Sequence, residues 1–157
     1  MALELVDVAD AAAVEQAREL FAEYAAAIGV DLDYQGFPAE LAALPVPYQP
    51  PRGALLIARD AGGAAGCVAL RPLEHACAEM KRLYVRDAWR GSGLGRRLVD
   101  AAVARARALG YTELRLDTLP DMAAAQRLYR RLGFREIAAY NTTHLPGTRF
   151  YALRLRD

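Results

Sequence analysis

The chain has 157 residues, 54% of them hydrophobic and 25% charged, with a formal net charge of +1. That length supports one domain with its own core, and the near-neutral balance gives no bulk electrostatic case for nucleic acid or a membrane surface. No stretch has the unbroken apolar length of a membrane span, and Glu4 and Asp7 interrupt the place of a signal peptide's apolar run, so a cytoplasmic protein is expected.

Leu3 to Val6 reads as a short strand. Asp10 is a plausible N-cap, and Val14, Ala17, Phe21, Tyr24 and Ile28 then recur at helical spacing up to Gly29, a C′ residue. A mixed segment, Val30 to Gly36, precedes a short helix from Pro38 to Leu44. Pro45, Pro47, Pro50 and Pro51 predict an extended loop strapped along the surface. Ala54–Ala58 and Gly66–Leu70 read as strands, with Asp60-Ala61-Gly62-Gly63 as their hairpin turn. Pro72 is expected to end the second strand, and Leu73 to Ala76 to connect it to a third, Cys77 to Val85. Cys67 and Cys77 fall in these strands without metal-type spacing. They read as reduced, small apolar residues, a disulfide between neighbouring strands being the lesser alternative, and no metal is expected.

After the third strand comes Arg90-Gly91-Ser92-Gly93-Leu94-Gly95-Arg96-Arg97, which opens a helix from Leu94 to Leu109. Alternating glycines leave backbone N–H groups uncovered and allow φ > 0. The helix start adds unpaired donors and the positive end of the macrodipole. Together these make a seat for a phosphate or pyrophosphate. Glu113–Asp117 then alternates as a strand. Thr118-Leu119-Pro120-Asp121 has the spacing of a capping box and opens a helix carrying Ala125, Leu128, Tyr129 and Leu132, which stops at Gly133. Phe134–Ala138 is a strand, Asn141–Gly147 a loop, and Arg149–Leu155 a closing strand. The order is β-α-α-β-β-β-α-β-α-β-β, a mixed α/β sheet with the glycine loop near mid-chain.

A dinucleotide-binding domain also joins a strand, a glycine-rich turn and a helix, and Asp117 could serve as its ribose-binding acid. Against it, Arg96 occupies the place of the third fingerprint glycine, and an antiparallel meander precedes the loop. No Gly-Lys-Ser/Thr follows, which excludes a P-loop.

Arg90-x-x-Gly93-x-Gly95 resembles the Arg/Gln-x-x-Gly-x-Gly/Ala loop of the GNAT N-acetyltransferases. Upstream, Glu79-Met80-Lys81-Arg82-Leu83-Tyr84-Val85 is similar to that family's fourth strand. Downstream, Ala125-x-x-Leu128-Tyr129-x-x-Leu132-Gly133-Phe134 is similar to its later helix and following strand. The resemblance implies an α/β acyl-CoA N-acyltransferase fold: one mostly antiparallel sheet, splayed between strands 4 and 5 and flanked by about four helices. It implies acetyl-CoA as co-substrate and an amine acceptor, small molecule or peptide, attacking directly in a ternary complex. A catalytically silent CoA-binding module is the alternative. The family's members are commonly dimers, and the sequence leaves a homodimer open.

Residue by residue, the resemblance gives the pyrophosphate to backbone amides around Arg90, Gly91, Ser92, Gly93, Leu94, Gly95 and Arg96. It gives the pantetheine arm to the strand backbone at Leu83, Tyr84 and Val85, with the Leu83 N–H toward the thioester carbonyl. It places Met122 and Ala125 beside that arm, Met122 standing where many relatives have asparagine; Thr118 or Asp121 could replace that hydrogen bond. Glu79 is implied as the general base, its pKa expected to rise on burial; the plainer reading is a strand glutamate paired with Lys81 or Arg82. Tyr129 is implied as the acid near the sulfur, the plainer reading being a core tyrosine. Acceptor-side candidates are Asp31, Asp33, Tyr34, Tyr48, His75, Tyr140, Asn141 and His144, of which the acidic loop residues and the histidines read equally well as solvated surface.

Overall fold

The computed structural model describes residues 2–74 and 76–156; His75 lies outside the described residues. Seven strands form one sheet in the order β1-β2-β3-β4-β5-β7-β6. They are β1 (Glu4–Asp7), β2 (Ala54–Asp60), β3 (Gly63–Glu74), β4 (Cys77–Val85), β5 (Glu113–Thr118), β6 (Arg135–Ile137) and β7 (Arg149–Arg154). The helices are α1 (Ala11–Ile28), α2 (Phe37–Ala43), α3 (Leu94–Ala108) and α4 (Ala123–Arg131). Every neighbouring pair is antiparallel except β4 and β5, which run parallel. The element order and the splayed mixed sheet agree with the expectation from sequence.

Both faces of the sheet are covered, so its central strands are apolar on both sides. Along β2, Leu55 and Ile57 face a core with Leu20, Phe21 and Tyr48, while Leu56 and Ala58 face one with Leu94, Leu98 and Val99 of α3. This is the period of two that a strand imposes. Helix α1 starts as its sequence predicts: Asp10 Oδ1 accepts from the Ala13 amide at 2.8 Å, and Gly29 closes it at φ 71°. No described helix is long and apolar enough to cross a membrane.

Three expectations are corrected. The proline segment is not extended; it coils into turns, with the Tyr48 amide donating to Pro45 O and the Gly53 amide to Gln49 O, and it inserts Tyr48 into the core against Phe21. Pro72 does not end β3, which runs on to Glu74. The β2 ladder stops at Leu70, so beyond it β3 has no strand on that side to receive a proline N–H. Thr118 and Asp121 form no capping box: α4 begins at Ala123, and Met122 is its N-cap residue without a side-chain hydrogen bond.

Candidate active site

The site is made where β4 leaves β5. The two strands pair only over Cys77–Glu79 with Glu113–Arg115. Past Glu79 they diverge, and the β5-side edge of β4 is left without a ladder. A second irregularity lies on the other side of the same strand. Ala69 pairs with Lys81 and Cys67 with Tyr84, so Arg82 and Leu83 together oppose Val68. This is a β-bulge, and Arg82 takes φ 61°, a conformation rare for a side chain of that size.

The bulge turns Arg82 toward α1 and α2. Its guanidinium donates to both oxygens of Glu40, at 2.9 and 2.8 Å, and to Gln35 Oε1 at 2.9 Å, and it lies over the rings of Tyr24 and Phe37. Arg86 pairs with Glu23 at 2.6 Å, and Tyr84 also donates to Glu23. Helices α1 and α2 are thus tied by charge to β4 and the residue after it. The paired arginines were not singled out from sequence, because an arginine in a strand carries no mark of a bulge.

A cavity of about 520 Å³ fills the gap. Its walls are Met80 to Val85 of β4, Leu116, Asp117 and Thr118 of β5, Asp121 to Ala125, Leu128 and Tyr129 around α4, and Tyr24, Ala27 and Ile28 of α1, with Arg90 and Gly95 at the glycine loop. The α1 contribution was not foreseen; Tyr24 sits on that helix's apolar stripe and its spacing reads as core. Met122 and Ala125 do line the cavity, and so do Thr118 and Asp121.

In the loop, Gly91 and Gly93 take φ 77° and 87°, and a Cβ on either would meet open space; the glycines serve the backbone turn. The Arg90 and Ser92 amides are used inside the turn, donating to Asp87 O and Trp89 O. This narrows the expected seat. The amides of Gly91, Gly93, Leu94, Gly95 and Arg96 donate to no described backbone oxygen. Arg90 is held beside them by Asp87 at 2.8 Å and by its bond to Val85 O. Five free donors in and just before a helix N-terminus fit a pyrophosphate. The open β4 edge fits an extended amide chain added as a further strand.

Tyr129 is 5% exposed, packs on Phe134 and Tyr151, and hydrogen-bonds no described group through its hydroxyl. Burial pushes its pKa well above the ordinary value, so the hydroxyl stays a donor.

A second cavity of about 190 Å³ adjoins the first, lined by Tyr34, Gln35, Glu40, Arg71, Glu79, Lys81, Asp117, Asn141 and Thr143. Lys81 and Asp117 line both. Glu79 is only 1% exposed, and both its oxygens are engaged: Arg71 Nε donates at 2.7 Å and the Tyr140 hydroxyl at 2.5 Å. Burial alone would push the carboxyl up, but Lys81, Arg71 and the two hydrogen bonds outweigh it and hold it below its usual range. The expected upward shift is therefore corrected, and the direct ion-pair partner is Arg71, not Lys81 or Arg82.

Burial beside Glu79 pushes the Tyr140 phenol far up, so it too remains protonated. Burial pushes the Lys81 ammonium down, opposed by Glu79 and Asp117. Of the other acceptor candidates, Tyr34 and Asn141 line this cavity. Asp31, Asp33 and His144 are exposed, His144 resting on Phe150 and bonded to Asn141. Tyr48 is a core residue, and Asp33 and His144 line neither cavity. Arg71 and Lys81 were missed as a pair, since they meet only across β3 and β4. Both cysteines are buried and unpaired; burial pushes the Cys77 thiol up to about 11 and Cys67 higher still.

The comparisons with known proteins agree with this geometry. An uncharacterized N-acetyltransferase of Schizosaccharomyces pombe is 41% identical over 138 residues, covering 87% of this chain and 85% of that protein. Among solved structures, an acetyltransferase of the GNAT family from Staphylococcus aureus superposes with a TM-score of 0.82 at 21% identity, covering 99% of this chain and 100% of that one. An acetyltransferase from Salmonella typhimurium, solved with its cofactor acetyl-CoA, superposes with a TM-score of 0.70 at 22% identity, covering 100% and 96%. The profile of the acetyltransferase (GNAT) family matches residues 13–134, which takes in α1, the splayed strands, the glycine loop and α4. The chain belongs to the acetyltransferase (GNAT) family.

Proposed function

We propose that this protein transfers the acetyl group of acetyl-CoA to a primary amine by direct attack. The observation that carries this is the meeting of two cavities at the β4–β5 gap, with Lys81 and Asp117 common to both. A donor in one and an acceptor in the other would have their reacting atoms brought together there.

The co-substrate supplies the acyl group as a thioester. The free amides of Gly91, Gly93, Leu94, Gly95 and Arg96, with Arg90, hold its pyrophosphate. The open edge of β4 from Leu83 to Val85 holds the pantetheine amides, and Met122, Ala125 and Leu128 pack against the arm. The Leu83 N–H, in the bulge, polarises the thioester carbonyl. Glu79, ionised and fixed by Arg71 and Tyr140, accepts the amine's proton through water. The Tyr129 hydroxyl gives a proton or a hydrogen bond to the departing sulfur. The buried, protonated cysteines are not nucleophiles in this scheme.

The test is a broad amine screen with detection of released CoA thiol, alongside calorimetry of acetyl-CoA and NAD(H). Turnover with at least one amine and binding of acetyl-CoA but not NAD(H) is expected. Tight acetyl-CoA binding without turnover of any amine contradicts the enzymatic reading.

A further inference from the structure

The smaller cavity leaves one cation and one anion of its lining, Lys81 and Asp117, without a direct contact to any described residue. Glu40 is neutralised by the two-pronged contact from Arg82. Glu79 is shared by Arg71 and Tyr140. Lys81, the only lysine of the chain, is half-buried and makes no ion pair and no side-chain hydrogen bond with a described residue. Arg71 uses only Nε on Glu79, so its two terminal nitrogens donate to no described group. Asp117, across the gap on β5, likewise has no partner among the described residues, and it lines both cavities with Lys81.

An unpaired cation in a partly desolvated place is costly unless a ligand completes it. A plain cationic amine would find a counter-charge in Asp117 but would meet Lys81 and Arg71 with no charge to offer them. A molecule bearing both an ammonium and a carboxylate satisfies all three. The cavity's volume of about 190 Å³ suits a group of amino-acid size.

We infer that the acceptor is a small amine that itself carries a carboxylate, an amino-acid-class zwitterion, with the carboxylate between Arg71 and Lys81 and the amine toward Asp117 at the junction with the larger cavity. This rests on the acetyltransferase reading above and names the substrate class of that same site. The carboxylate is bound, not transformed; it fixes which end of the acceptor faces the thioester. Lys81 and Arg71 are then specificity-determining residues. Of the two, Lys81 is the informative one to change, because Arg71 also holds Glu79.

The experiment measures kcat/KM by CoA release over matched sets, each amino acid against its decarboxylated amine and its carboxamide, in the wild type and in Lys81→Met. The amino acid is expected to exceed both analogues by at least about tenfold. That ratio is expected to collapse toward one in Lys81→Met, mainly through a higher KM for the amino acid. Amines or amides that work as well as the acids overturn the inference, as does a ratio that survives in Lys81→Met. Calorimetry of acetyl-CoA on both proteins separates the two levels. Cofactor binding without turnover of any amino acid overturns the substrate class, and absence of acetyl-CoA binding overturns the acetyltransferase reading beneath it.

Discussion

The two cavities at the β4–β5 gap are built from different materials. The larger is walled mainly by an unpaired strand edge and apolar side chains such as Met122, Ala125, Leu128 and Ile28, and it reaches the glycine loop at Arg90 and Gly95. The smaller is made of charged side chains fixed by one another, Arg71 to Glu79 to Tyr140 and Arg82 to Glu40. The difference separates two tasks. Backbone donors suit what is constant in a ligand, which in the proposed reaction is a pyrophosphate and amides. Side-chain pairs can be exchanged one at a time and so define what is particular to an acceptor. The bulge at Arg82 lies between the two: Leu83 beside it lines the larger cavity, and Arg82 holds Glu40, which lines the smaller.

The largest expected effect is at that bulge. Arg82→Ala leaves the mostly buried Glu40 carboxylate without its partner and should cost about 3 kcal/mol of stability by urea unfolding; a loss below about 1 kcal/mol would mean the bulge is held by something else. Gly93→Val next attacks the backbone-built side. A β-branched residue at φ 87° is strained whatever the space around it, and acetyl-CoA affinity should fall about a hundredfold or more by calorimetry. Retained affinity would remove the loop from the binding site.

On the side-chain-built side, Glu79→Gln should lower kcat/KM about a hundredfold. Because the Glu79 carboxyl is held below its ordinary 4.5, it is ionised throughout the neutral range. Its contribution to stability is complete above about that value and is lost as pH falls through the lower folded value. A wild-type activity limb near neutrality should therefore survive in the variant, and its disappearance would contradict the lowered value. The smallest effect is at Tyr129. Tyr129→Phe should lower kcat about tenfold while moving acetyl-CoA affinity by less than about twofold; unchanged kcat would leave it a packing residue.

The same contrast explains what the sequence discloses. Gly91 and Gly93 ahead of an amphipathic helix, with Gly95 in its first turn, announce an anion seat, because only a few residue types serve such a backbone, and the strand–loop–helix order around them carries the fold. The acceptor cavity is less legible. Arg71, Glu79, Lys81 and Asp117 come from three strands, and their meeting depends on register that no local pattern states. Burial predicts a raised Glu79 pKa only while its partners are unknown; Lys81, Arg71 and Tyr140 together reverse the sign, and the last two stand eight residues before and sixty-one after it. The proline run and Thr118 mislead for a related reason. Local preference reads them as an extended strap and a helix cap, whereas packing of Tyr48 and a contact from Thr118 Oγ1 to Met122 Sδ at 3.5 Å prevail.

The central claim is that acetyl passes straight from one cavity to the other. Initial velocities with acetyl-CoA and an acceptor amine varied together test it most directly. Direct transfer in a ternary complex predicts intersecting double-reciprocal lines; parallel lines, the signature of an acyl-enzyme, would contradict it.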